Sequence, residues 1–315
     1  MGGHAGRGAE AILRRQPFLP ALRLAAVEPL AGARAHSHSG TSYRAIDAQG
    51  RRYKLRACRT RLRARALERY VRGLPELLPG FVARSGRLVL LEYLEDHRPV
   101  TRQELVRRAA DLGRLAARVH ARSRELAAGG VAGRWLVALR WRVGLARDLA
   151  LLRRRGVLPP EDLAALRARA RAHLRRRGLP VALELDDQHK GNFVIREIDG
   201  ELRYVDEEGV RLGPLGIGLA TLLKTARRRF LLDDYREGYA EIRDVRRLDD
   251  PYVEFLLLLD AVRRVALRLR TGRRPDRLPD EIGHLRAIAA SAVGDLAWRF
   301  PGFVRKARPG AGPPA

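Results

Sequence analysis

Apolar positions along the chain change their period near residue 95. Before that point they come in short runs of strand length. Ala21–Leu30 reads as a strand, with Leu22, Leu24 and Val27 in imperfect alternation. Ser42–Ile46 and Arg52–Ala57 read as strands joined by Asp47-Ala48-Gln49-Gly50, a hairpin signature with glycine in the turn. A second hairpin is read across Ser85-Gly86, between Phe81–Arg84 and Arg87–Leu94. Its second strand is apolar at nearly every residue and is expected to be central, buried on both faces. Between the hairpins, residues 60–73 read as one helix, with Leu62, Ala66, Leu67 and Val71 apolar and Gly73 and Pro75 ending it. The polar stretch Glu95–Pro99 marks a boundary. Beyond it the spacing is helical: 102–126, with Leu105, Ala109, Leu112, Leu115, Ala116 and Val119 on one face, then 133–155 and 160–177. A third hairpin, Asn192–Ile198 and Glu201–Val205, precedes four more helices at 217–229, 230–243, 251–271 and 279–298. The fold class is therefore α+β with two lobes: a small antiparallel β lobe with one main helix over residues 19–95, and a larger, mostly helical lobe over 96–304. Residues 1–18 read as a loose leader and 305–315 as a disordered tail.

Composition narrows the class. A chain of 315 residues with 46% hydrophobic and 31% charged content is globular and large enough for two cores. Its single cysteine, Cys58, excludes a disulfide framework and a cysteine metal site, and suits a reducing cytosol. Apolar runs such as Phe255–Leu259 are too short to span a bilayer, and the first residues lack the apolar run of a signal peptide. A cytoplasmic protein is expected. The net charge of +27 has two readings. One is a polyanionic partner, which would place the chain peripherally at an anionic inner membrane face or on a glycolipid. The other is arginine drift over solvated faces. Aromatic residues make up only 6% and do not interleave with the basic ones, which argues against a nucleic-acid surface.

The candidate chemistry lies where rare residues persist. Asn192 is the only asparagine of the chain, and only Lys54, Lys190, Lys224 and Lys306 are lysines among 63 basic residues. Asn192 follows Asp187 in an Asp-x-x-x-x-Asn spacing, immediately before the apolar run Phe193-Val194-Ile195. This is the catalytic-loop spacing of phosphoryl-transfer enzymes with a protein-kinase-like site. Lys54 stands on the second strand of the first hairpin, where a compact point charge suits phosphate oxygens. Glu68 is the only acid in the 60–73 helix and is placed to hold that lysine. The small-residue loop 31–42, with Ser39 and Gly40, could fold over phosphates and donate backbone N–H groups. The backbone from Glu92 to Leu94 is placed to hydrogen-bond adenine. Asp206 follows Asn192 by fourteen residues across a hairpin, which brings two oxygen ligands suited to Mg²⁺ together. Asp187 is left to orient the acceptor hydroxyl or take its proton. Lys190 reads as an exposed loop lysine.

Together these residues resemble the aminoglycoside phosphotransferase and choline kinase-like family, which has a protein-kinase-like fold. That family's loop reads His-Gly-Asp-x-His-x-Gly-Asn. This chain has Leu185-Asp186-Asp187-Gln188-His189-Lys190-Gly191-Asn192, keeping Asp187, His189, Gly191 and Asn192. The family's Ile-Asp-Trp/Phe segment is matched by Val205-Asp206-Glu207. Its Gly-x-Pro-x-x-Asp-Leu-Ala segment resembles Gly213–Ala220, with Gly218 in place of the Asp that braces the loop. Leu115-Ala116-Ala117-Arg118-Val119-His120 echoes Leu-x-x-Leu-His, with His120 read as structural. The resemblance implies an ATP- and Mg²⁺-dependent transfer of the γ-phosphoryl group to the hydroxyl of a small molecule or sugar. Three readings remain open: a kinase acting on a lipopolysaccharide or other glycan sugar, an aminoglycoside-type antibiotic kinase whose acidic pocket would come from Asp233, Asp234, Glu237 and Glu241, and a pseudokinase that binds nucleotide without turnover.

Overall fold

The computed structural model describes residues 3–18, 20–30, 36–37, 40–126, 130–225, 229–294 and 296. Ser39, most of the 31–42 loop and the tail from 305 lie outside them. The chain opens with helix α1 (Gly3–Arg15), which corrects the expected loose leader. Ala9 and Ile12, one helical turn apart, are buried with Phe18 against Leu24, Tyr43, Tyr53, Leu55 and Leu90. Gln16 ties the helix to the first strand: its amide donates to the Leu24 carbonyl (2.7 Å) and accepts from the Leu24 N–H (2.8 Å). The glycines among these residues hid the apolar face, since glycine lowers helix propensity without preventing a helix that packing supports.

Strands β1 (Leu24–Pro29), β2 (His36–Ser37), β3 (Gly40–Asp47) and β4 (Arg52–Cys58) lead to helix α2 (Arg61–Gly73), followed by β5 (Phe81–Ser85) and β6 (Leu88–Glu92). They form one antiparallel sheet in the order β1-β3-β4-β6-β5, with β2 paired to β3. The pleat sends alternate side chains to opposite faces. On β6, Val89 and Leu91 join the core shared with Ala64, Leu67 and Val71 of α2, while Leu90 joins the α1 core. On β4, Tyr53 and Leu55 face α1 and Cys58 faces away. Lys54 is thereby set on the face turned from α1.

The second lobe runs through β7 (His97–Pro99), α3 (Arg102–Arg107), α4 (Ala109–Ala121), α5 (Ser123–Leu126), α6 (Gly130–Arg154), α7 (Pro160–Arg177), β8 (Val181–Leu185), β9 (Phe193–Arg196), β10 (Leu202–Tyr204), β11 (Val210–Pro214), α8 (Ile217–Thr225), α9 (Arg229–Ala240), α10 (Asp250–Thr271) and α11 (Leu278–Ala290). The polar break at 95–99 contains a strand: β7 pairs with β9, and β9 also pairs with β10. Pro99 is tolerated there because β7 is an edge strand. The single helix expected over 102–126 is three, interrupted at Arg108 and Arg122. The first begins with a capping box in which the Thr101 hydroxyl accepts from the Glu104 N–H and the Glu104 carboxylate accepts from the Thr101 N–H. Arg98, and then Thr101, hold the Glu104 carboxyl down at about 2. The pair β8 and β11 was not anticipated either. Its partners are antiparallel, from Val210 opposite Leu185 to Pro214 opposite Val181. α10 carries the apolar run Phe255–Leu259 buried through the middle of the lobe. No helix among the described residues is long and apolar enough to cross a membrane.

One half-buried histidine gives a pH prediction. His173 on α7 stacks on Phe255 with ring centroids 4.1 Å apart and an interplanar angle of 4°. Burial, followed by the charge of Arg177, depresses its pKa to about 4. A depressed imidazole stays neutral in the folded chain while the unfolded chain takes up a proton. Stability is therefore unaffected above about pH 6.5 and falls as pH drops toward 4, by about 1–2 kcal/mol once solvent screening of the half-buried ring is allowed for. His173→Phe is expected to flatten that part of the stability-versus-pH curve measured by urea unfolding. An unchanged slope would refute the assignment.

Candidate functional site

The site is built on the strand β8, the loop after it, and the segment between β10 and β11. β8 anchors the loop from below through Glu184, which is buried. Glu184 Oε1 accepts from the Gly216 N–H (2.6 Å) and pairs with His120 Nε2 (2.7 Å), and His120 Nδ1 meets the Tyr239 hydroxyl (2.8 Å). Three residues later the chain reaches Asp187. Asp186 N–H donates to the Gly209 carbonyl (2.9 Å), so the loop and the segment before β11 are fastened side by side. A short 3₁₀ turn, Lys190–Asn192, closes the loop, with the His189 side chain accepting from the Gly191 N–H (3.0 Å). Lys190 itself is exposed.

Asn192 is buried at the centre. Its Nδ2 donates to the Asp187 carbonyl (2.8 Å) and lies 3.5 Å from Asp206 Oδ2. With the nitrogen engaged, the amide oxygen is the atom left for a cation. The Asn192 carbonyl accepts from the Val205 N–H (2.9 Å), which sets Asp206 beside it. No cluster of three or more His, Cys, Asp or Glu residues suited to a metal exists among the described residues. The set of one amide oxygen and one carboxylate fits Mg²⁺, which keeps waters and takes substrate phosphates as its remaining ligands. Asp187 has half its side chain exposed and its Oδ2 is 3.2 Å from His189 Nε2.

Lys54 reaches this group from the β lobe. Its Nζ donates to the Val205 carbonyl (2.8 Å) and pairs with Glu207 Oε1 at 2.6 Å. Lys54, Asp187, Asn192 and Asp206 are thus brought together. Glu68 is not with them, and this corrects the expected Lys54–Glu68 pair. The Glu68 carboxylate is held by Arg84 (2.5 Å) and Arg72 (3.2 Å), which together outweigh its burial and lower its pKa. A carboxylate on a helix and a strand rich in arginine is bound where cations are nearest. Glu207, 2% exposed, takes its place at the lysine. The only signal for Glu207 in the sequence was its position next to Asp206.

The remaining expected contacts divide. Gly40 opens β3 opposite Ser37 and Cys58, while Ser39 lies outside the described residues. The Glu92 N–H donates to the Gly80 carbonyl (2.8 Å). Leu94, past the end of β6, has no hydrogen bond among the described residues and keeps its backbone open to a ligand. Gly218 is required by crowding: a Cβ there would lie 2.1 Å from the Leu185 carbonyl oxygen and 2.6 Å from Gln188 Nε2. The buried Gln188 side chain, from the loop itself, fills the space beneath the loop at that point. Two of the four acids expected to form an acceptor pocket have arginine partners, while burial and the neighbouring charges of Glu237 and Asp233 raise the pKa of Asp234. Glu241 is taken by Arg114 of α4 (2.6 Å) and Asp233 by Arg236 (3.9 Å).

No family model and no curated protein sequence matches the chain. Solved structures do. A macrolide 2'-phosphotransferase from Brachybacterium faecium superposes with a TM-score of 0.59 at 19% identity, covering 91% of this chain and 99% of that one. A choline kinase from Streptococcus pneumoniae gives 0.63 at 13% identity, covering 90% and 99%. An amicoumacin kinase, solved with AMP-PNP and Ca²⁺, gives 0.60 at 16% identity, covering 92% and 96%. Over about nine-tenths of its length the chain therefore shares the two-lobed, kinase-like fold of these solved structures.

Proposed function

We propose that this chain is an ATP-dependent phosphotransferase that moves the γ-phosphoryl group to a hydroxyl of a small molecule. The observation that carries the reading is the meeting of Lys54 with the Val205–Glu207 segment, which sets the β-lobe lysine beside Asp206 and Asn192. In this reading Asn192 and Asp206 hold Mg²⁺, which when bound neutralises charge on the phosphates. Lys54, kept in place by Glu207, contacts phosphate oxygens as a point charge. The open backbone of Leu94 pairs with adenine. Asp187, next to His189, orients the acceptor hydroxyl and accepts its proton. Neighbouring structures are named as kinases of macrolides, choline, amicoumacin and aminopropanol, one with AMP and one with AMP-PNP. They support the class of reaction, while their varied acceptors leave the acceptor of this chain to its own residues.

The test is transfer of labelled γ-phosphate from Mg-ATP across a panel of hydroxyl acceptors, run with two variants. Glu207→Ala leaves Lys54 without its buried partner and is expected to raise the KM for ATP roughly tenfold or more. Glu68→Ala removes a carboxylate held only by arginines and is expected to stay within about twofold. Failure of the wild type to bind Mg-ATP at all would end the reading. The reverse ranking of the two variants would restore Glu68 as the partner of the lysine.

A further inference from the structure

A group of charged side chains lies beside Asp186, where α6 and α10 meet the end of β8 and the start of β11. Three of its members are carboxylates, and each has an arginine of its own. Asp186 pairs with Arg211, Asp148 with Arg270, and Asp260 with Arg264. Arg263 is the fourth arginine. It makes no hydrogen bond or ion pair among the described residues. Its guanidinium carbon sits 4.7 Å over the ring of Trp141. The ring covers one face of the guanidinium and holds the group flat, which leaves the N–H edge free to engage two oxygens at once. The charges that act on Arg263 are those of Asp186, Arg211, Asp260 and Asp148, with Asp186 the strongest among them. Asp186 immediately precedes Asp187. Burial of the guanidinium against its neighbours lowers the Arg263 pKa, although the residue as a whole is exposed.

We propose that Arg263, mounted on Trp141, anchors an oxyanion of the phosphoryl acceptor, so that the acceptor is a hydroxyl compound carrying a phosphate or carboxylate group. The proposal rests on the phosphotransferase reading above and names its acceptor class. An amine acceptor would meet the unpaired guanidinium at the place where its own cation needs a carboxylate, and the nearby carboxylates are already neutralised. An oxyanion instead gains a bidentate, charge-assisted contact and balances the odd arginine.

The measurement is site-specific, because a chain of net charge +27 binds phosphate in many places. The Arg263 Nε–H resonance is assigned by its disappearance in Arg263→Lys. Saturating Mg-ADP occupies the nucleotide site, and inorganic phosphate, glycerol 3-phosphate, glycerate and choline are then titrated separately. Phosphate, glycerol 3-phosphate or glycerate is expected to shift the resonance saturably, and choline is expected to leave it in place. Comparison of glycerol 3-phosphate with glycerate separates a phosphate anchor from a carboxylate anchor. Trp141→Leu is expected to weaken the response at least tenfold without changing Mg-ADP affinity. The proposal is overturned if none of the three anions moves the resonance, or if choline moves it more than they do. Absence of Mg-ADP binding would count against the phosphotransferase reading and not against the anion site, whose titration is read without nucleotide as well.

Discussion

Asp187→Asn is expected to lower phosphoryl transfer from Mg-ATP by about three orders of magnitude, the scale of a lost general base. Mg-ADP affinity is expected to stay within about twofold, because Asn keeps the shape of the loop and the proposed nucleotide contacts lie with Lys54, Asn192 and Asp206. Asp186→Asn is the control. Its carboxylate is already occupied by Arg211, and its backbone N–H, which fastens the loop to Gly209, survives the change. A loss of less than about tenfold is expected there. Single-turnover transfer with both variants decides the matter. If Asp187→Asn turned over at the wild-type rate, the base would have to be sought elsewhere. If both variants were equally impaired, the effect would belong to the charge of the loop as a whole.

Gly113→Val is expected to be the most destabilising single change in the helical lobe. Helices α4 and α9 cross at two glycines, each pressed against the backbone of the other helix. A Cβ on Gly113 would stand 2.0 Å from the Tyr235 carbonyl oxygen, and one on Gly238 would stand 2.0 Å from the Ala110 carbonyl oxygen. Backbone cannot swing aside as a side chain can, so the helices must separate. Separation strains the packing of His120 on Tyr239, and with it the Glu184 link beneath the loop. Overpacking of this kind costs about 3 kcal/mol or more, against about 1 kcal/mol gained from helix propensity by replacing glycine with alanine. Gly113→Ala and Gly238→Ala together should cost less than the sum of the two, because one separation relieves both. Gly144→Ala on α6, where a Cβ meets nothing within 4 Å, is expected to be neutral or stabilising by about 0.5–1 kcal/mol. Urea unfolding of the five variants, the double one included, checks the ranking. A Gly113→Val chain as stable as wild type would mean that the crossing is not close.

The first lobe was legible because its strands are local. Both hairpins of the β sheet join through short turns, and the alternation on β4 and β6 follows from the pleat alone. Residues 60–73 likewise declared their helix through spacing and end signals. What escaped was non-local. Val181–Leu185 becomes a strand only because Val210–Pro214 returns beside it. His97–Pro99 pairs with a strand nearly a hundred residues later. The helix of residues 3–15 exists because a sheet face waits to cover Ala9 and Ile12.

The sequence by itself determined the order of the chemistry. A solitary asparagine five residues after Asp187 and a rare lysine on a strand stand out as candidates in a chain where nearly every other basic residue is arginine. Side-chain identity and covalent spacing carry that information without any fold. Which carboxylate holds Lys54 was decided by tertiary structure alone. Glu68 and Glu207 are alike as residues, but Arg72 and Arg84 stand against the first, while the turn after Asp206 buries the second against the lysine. The same holds for Arg263: among so many arginines nothing in the sequence sets it apart, and only the packing of α6 against α10 leaves it on Trp141 without a carboxylate. Charge pairing depends on distance and burial, and both are properties of the folded chain.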